Sequence, residues 1–149
     1  SIFVDSENSP NFADANTIIY GHHMSSGTMF AMLEDWSDQA YYEEHPYLWL
    51  LTPTQDYRVV LVSAHHVNAY SGLYEILHDH DERFTQFLAE ATANSDFVPI
   101  AGSEVDPQRN YVMLSTCAYI FDDARYVVHG KLVPVNSAGG KVLTAAPDA

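Results

Sequence analysis

Only one of the 149 residues, Cys117, is a cysteine. No disulfide can therefore close within the chain, and zinc sites built from cysteine pairs are excluded. Basic side chains are nearly as scarce: six Lys and Arg stand against twenty Asp and Glu, for a formal charge of -14. A surface of that sign repels an extended phosphate backbone, which argues against nucleic acid as a partner. No stretch approaches the roughly 20 consecutive apolar residues that a membrane helix needs. What the chain does have is 47% hydrophobic residues, ten of its aromatics being tyrosines, enough for one domain around one core.

Hydrophobic periodicity organises that domain. Thr17-Ile18-Ile19-Tyr20 reads as a strand halted by Gly21 and followed by a turn at Ser25-Ser26-Gly27. Met29, Met32, Leu33 and Trp36 recur at helical spacing, and Tyr41-Tyr42 extends a second helical turn that Pro46 ends. The Val- and Leu-rich run from Tyr57 to Ala64 predicts a largely buried strand. Asp79 or Asp81 then caps a helix whose apolar stripe is Phe84, Phe87, Leu88 and Ala91, broken at Asn94-Ser95-Asp96. Two further strands, Tyr111 to Cys117 and Arg125 to Val133, are joined by seven residues and read as a hairpin. The segment after Val135, rich in Gly and Ala, reads as a frayed tail.

The hairpin brings the first chemistry. Strand side chains alternate between faces, so if Cys117 lies opposite Arg125, Ser115 faces Val127 and Met113 faces His129. A cation beside a thiol favours the thiolate and can hold a developing oxyanion. A lone thiol can equally be a small buried hydrophobe, and an arginine flanking a loop can simply point to water. Of eight histidines, His22 is the best placed to carry a proton for a thiol, at the end of an apolar strand, although a histidine there can also merely end the strand at the surface. His65-His66 at another strand end and His78-x-His80 near a helix start are weaker metal candidates, because no His-Glu-x-x-His type of spacing accompanies them.

Three separated segments resemble one known family. Tyr20-Gly21-His22-His23-Met24, followed by Gly27-x-Met29-Phe30, is similar to the histidine segment of class B sortases. Leu114-Ser115-Thr116-Cys117 is similar to their Leu-x-Thr-Cys signature, and Ala124-Arg125-Tyr126-Val127-Val128 to the strand that carries their arginine. The resemblance covers essentially the whole chain.

That resemblance implies a mainly β fold, an eight-stranded sortase barrel with flanking helices, mostly antiparallel with some parallel pairing. It assigns residues 1–135 to the catalytic domain and 136–149 to a tail. The family's membrane anchor and the helices and first barrel strands that follow it come before the segment that Ser1 to Asp5 resembles, so the barrel is expected to lack them in this chain. The implied chemistry is a two-step acyl transfer at the outer face of the Gram-positive membrane. Cys117 attacks a Thr-Gly or Thr-Asn type bond of a sorting signal, and the thioacyl enzyme passes its acyl group to an amine of peptidoglycan or of a pilin. His22 is the acid and base and Arg125 the oxyanion or backbone holder; no metal or organic cofactor is required. Thr116, Ser115, Tyr70 and Leu73 are expected to contact the peptide, within a recognition wall running from His65 to Arg109. A thiol hydrolase sharing the acyl-enzyme step, and a catalytically silent surface-binding module, are the alternative functions.

Overall fold

The apolar run that begins at Tyr57 extends further than its composition predicts, and the sheet is built around it. The computed structural model describes residues 2–22, 29–117 and 124–135, and for residues 22, 29–32 and 117 the backbone alone. The turn expected at 25–27, the hairpin loop at 118–123 and the tail from 136 lie outside the described residues. Strands β1 (Ile2–Val4), β2 (Asn16–His22), β3 (Tyr47–Leu51), β4 (Asp56–Asn68), β5 (Tyr111–Cys117) and β6 (Ala124–Val135) form one sheet in the order β1-β2-β5-β6-β4-β3. The resemblance implies eight strands for a complete barrel; six are present among the described residues. Pairing is antiparallel except between β2 and β5, which run parallel.

Two local expectations need correction, and one strand had no sequence signal. Gly21 does not halt β2, because β1 and β5 pair with it on both sides, at Ile2 and Thr116. His65 and His66 do not end β4, which continues to Asn68 against β6. Strand β3 carries no alternating pattern that would announce it: Tyr-Leu-Trp-Leu-Leu is a short apolar run, and only its antiparallel pairing with β4 makes it a strand.

The helices follow their signals closely. A 3-10 helix spans Met29–Ser37, and α1 (Gln39–Glu44) starts where the Asp38 carboxylate accepts the N–H of Ala40. In α2 (Glu82–Ala93) the cap is Asp81 rather than Asp79, accepting the N–H of Phe84 at 3.0 Å. Phe84, Phe87, Leu88 and Ala91 are all buried against the sheet. Each of the larger three contributes about 1.5–3 kcal/mol by leaving water.

Two apolar layers sandwich the sheet. Beneath α2 lie Ile18, Met113 and Val127; on the other face Ile19, Leu114, Tyr126 and Val128 pack with Leu33, Trp36 and Tyr42. A register shift between Leu61 and Ser63 keeps long β4 in step with both layers. Through that bulge Val59 and Leu61 serve the same layer as Ala64, which strict alternation would forbid. Gly130 on β6 crosses close by, where a Cβ would run into Val59 Cγ1 and Leu61 Cδ2. The sheet curls: edge strands β1 and β3 both line one apolar cavity of about 320 Å³, with Ile19 and Val112 at its floor.

Under α2 the apolar layer contains two rings, with His65 Nε2 3.2 Å from His129 Nε2. His65 Nδ1 lies 3.0 Å from the carbonyl of His66, which can only accept, so Nδ1 carries the proton and the Nε2–H of His129 donates to His65. This leaves His129 Nδ1 a buried acceptor with no partner among the described residues. Burial, and then the neighbouring His65, push the pKa of His129 down to about 3. The unfolded chain takes that proton near 6.5. Between those values the unfolded state binds the extra proton, so stability falls as pH falls, by up to about 1.4 kcal/mol per pH unit. His78, raised by its hydrogen bond to Asp14, acts in the opposite direction. His129→Leu is therefore expected to flatten the loss of thermal stability between pH 6 and pH 4; an unchanged pH dependence would show that the pair is not its source.

Candidate functional site

Parallel strands end together, and β2 and β5 do so at their C-terminal ends. Their register sets Asn16 beside Tyr111 and, at the last pair, His22 beside Cys117. On the other side of β5, antiparallel β6 pairs Met113 with His129 and Ser115 with Val127, as the sequence pattern requires. That ladder ends at Ser115 and Val127; continued by two residues, the same register leads from position 117 to position 125. His22 and Cys117 are thus direct neighbours on β2 and β5, about 4.8 Å apart, and Arg125 of β6 pairs on its other side with Val67 of β4. The strand period puts Arg125 and Val67 on the α2 face, in line with Val127 and His65 of the paired strands; the neighbouring strands carry Tyr20 and Ser115 at that level.

That level is held by hydroxyls. Ser115 is fully buried; its hydroxyl donates to the carbonyl of Thr116 at 3.1 Å, so the Tyr74 hydroxyl, 2.6 Å away, donates to it. Tyr20 lies nearly parallel to Tyr74, with ring centroids 6.4 Å apart, and its hydroxyl donates to Asp5. Thr116 is also buried, on the opposite face, where its Oγ1 accepts the backbone N–H of Tyr126 at 3.1 Å. This bond continues the β5–β6 contact past the last ladder pair.

Beside Val67 opens a cavity of about 490 Å³ lined by His65, His66, Leu73, Glu90 and Asp96 among others. Its walls are β4, the turn around the 3-10 helix Gly72–Tyr74, and the C-terminal end of α2. Two carboxylates among its residues match the charge of the whole chain. His66 Nε2 pairs with Glu34 at 2.7 Å, tying the 3-10 helix at Met29–Ser37 to β4.

The four residues expected to contact peptide fall in different settings. Tyr70 is 83% exposed, whereas Leu73 is buried at the cavity wall. Ser115 and Thr116 are buried with their hydroxyls engaged. Tyr74 was not singled out by the sequence, and no local spacing marks it, because its partner Ser115 is distant in the chain. The metal candidates have other partners: His78 Nδ1 lies 2.8 Å from buried Asp14, and His80 Nε2 lies 3.2 Å from the carbonyl of Arg109. Among the described residues no three His, Cys, Asp or Glu converge as metal ligands.

Sequence comparison finds this chain 32% identical over 138 residues to sortase B of Staphylococcus aureus, an alignment that covers 91% of the chain. The solved structure of Clostridium perfringens sortase B superposes with a TM-score of 0.77 at 30% identity, over 89% of this chain and 73% of that one. The chain belongs to the class B sortases. The S. aureus sortase B crystal structure agrees, with a TM-score of 0.82 at 31% identity over 91% of this chain and 64% of that one. Similar class B structures include a S. aureus sortase B–substrate complex and a sortase B complexed with triglycine. No family model matches the chain. It spans 56% of the length of its S. aureus relative.

Within this sortase sheet the Tyr74–Ser115 contact is a local prop beneath the candidate site. Tyr74→Phe removes the donor to a buried hydroxyl and is expected to lower stability by about 1 kcal/mol, read as a shift of the denaturation midpoint. No shift would mean that the hydroxyl is satisfied otherwise.

Proposed function

We propose that this chain carries the catalytic unit of a cysteine transpeptidase, with Cys117 as nucleophile, His22 as acid and base, and Arg125 as oxyanion donor. The observation that supports this reading is the pairing of His22 with Cys117 at the ends of β2 and β5, next to the strand β6 that carries Arg125. A thiol nucleophile needs a proton carrier and a stabiliser of developing negative charge within one or two side-chain lengths. Neighbouring strand positions meet that demand without a loop having to fold over the site.

In the first step the Cys117 thiolate adds to the carbonyl carbon of a Thr residue in a sorting signal. The peptide bond breaks, and His22 gives a proton to the leaving amine. In the second step an amine of peptidoglycan or of a pilin attacks the thioacyl carbon; His22 takes its proton and the cysteine sulfur leaves. Imidazole suits both halves because its ordinary pKa lies near neutrality. The guanidinium stays charged throughout and offers directed N–H groups to the oxyanion. The substrate and triglycine complexes of related sortases support a peptide donor and an amine acceptor here.

Residues 1–135 constitute this catalytic unit, with 136–149 as a tail, and the cell surface is its place of action. Among the described residues no helix is long and apolar enough to cross a membrane.

Cleavage of a fluorogenic peptide containing a Thr-Asn bond, with and without triglycine, tests the proposal. Cys117→Ala is expected to abolish cleavage while leaving the fold intact. Arg125→Lys is expected to lower kcat by on the order of 10²–10³, the loss seen when one oxyanion donor is removed, with alkylation of Cys117 much less affected. Cleavage by Cys117→Ala at the wild-type rate would overturn the mechanism. Near-normal turnover in Arg125→Lys would remove Arg125 from the oxyanion role.

A further inference from the structure

Among the described residues little holds the Arg125 side chain directly. Among the described residues its guanidinium hydrogen bond goes from Nη1 to the carbonyl of Ala124, at 3.3 Å, its own neighbour in the chain. None of the described ion pairs includes it. The backbone of β6 sets where that side chain starts, and on the β5 side the ladder's last pair is Ser115 with Val127, two residues short of it.

Tyr126 takes over there. Its N–H donates to Thr116 Oγ1 at 3.1 Å, which binds the arginine strand to the residue before Cys117. Its ring is buried, and the edge of His66 meets it at 4.8 Å. At the far end its hydroxyl donates to Asp96 Oδ2 at 2.9 Å, and the Asp96 N–H donates in turn to the carbonyl of Ala64 on β4 at 2.6 Å. Asp96 also lines the cavity beside the candidate site. Burial and the Asp96 charge push the phenol pKa far up, so the donor proton stays in place.

We propose that Tyr126 is a positioning residue for Arg125, with its hydroxyl bond to Asp96 fixing the height and direction of the first turn of β6 relative to the cysteine strand. The inference rests on the transpeptidase function proposed above. A rigid ring tied at both ends resists rotation of its strand, whereas a ring held by packing alone can slide. Displacement of a charge-stabilising group by a fraction of an ångström to an ångström costs turnover more than binding.

The experiment uses the full-length chain, the Thr-Asn peptide with triglycine, and labelling of Cys117 by a methanethiosulfonate reagent. Tyr126→Phe deletes the hydroxyl while keeping the ring. It is expected to lower kcat by roughly tenfold to a hundredfold, with KM and the labelling rate little changed. Asp96→Ala should give the same loss, Asp96→Asn, which keeps an acceptor, should retain most of the turnover, and the Tyr126→Phe/Asp96→Ala pair should be no worse than either single change. Wild-type kcat in Tyr126→Phe, or losses that multiply in the pair, would overturn the positioning role. So would a fall in labelling parallel to kcat, since that marks general loosening of the site. Cys117→Ala is run alongside: if it cleaves as well as wild type, the proposed function fails, whereas an inactive Cys117→Ala with a fully active Tyr126→Phe sinks only this inference.

Discussion

The parallel pairing of β2 with β5 is the constraint on which the remaining geometry depends. Parallel neighbours cannot be joined by a tight turn, so the chain must travel away and return by a long crossover. Here that crossover contains two 3-10 helices, α1 and α2, which lie over the faces of the sheet, and strands β3 and β4, which extend it. The parallel direction points the C-terminal ends of the two strands the same way, and their register, Asn16 beside Tyr111, makes those ends coincide, so that positions 22 and 117, far apart in the chain, become neighbours. Antiparallel β6, which carries Arg125, then folds back against β5. One choice of strand direction thus produces both the cover and the site.

A sheet buried on both sides must keep every strand in register for both layers, and the longest strand would drift without correction. The bulge at Leu61/Ser63 supplies that correction, and Gly130 opposite it makes room for Val59 and Leu61. Polar groups inside the layers are satisfied largely in pairs. Tyr74 serves Ser115, Tyr126 serves Asp96, and His129 serves His65. The first two lie immediately beneath or behind the candidate site, where regular ladder bonding runs out and side chains replace it. The His129–His65 pair lies deeper, where its neutrality depends on pH. Stability and site geometry therefore draw on the same few buried and half-buried hydrogen bonds.

Much of this could be read from residues close together in sequence. The stripe Phe84-Phe87-Leu88-Ala91 and its aspartate cap report a helix on one face, because helical period and capping are local properties. Placing Cys117 opposite Arg125 implies the pairs Met113–His129 and Ser115–Val127, and both are present. The segments around His22, Cys117 and Arg125 were sufficient to point to the class B sortases, a family to which the chain does belong.

What the sequence by itself determined is thus the set of elements with a strong local period, one hairpin register, and the residue types that a thiol acyl transfer requires. The tertiary structure alone decided which strand ends meet, since a parallel partner can lie anywhere along the chain and leaves no mark on the sequence next to it. It also decided that Gly21 stays within a strand, because β1 and β5 supply bonds on both sides that outweigh glycine's flexibility. Tyr74, Asp96 and Tyr126 acquired their roles in the same way: each hydroxyl or carboxylate is ordinary in its own segment and becomes specific only when burial brings it a partner from a distant one.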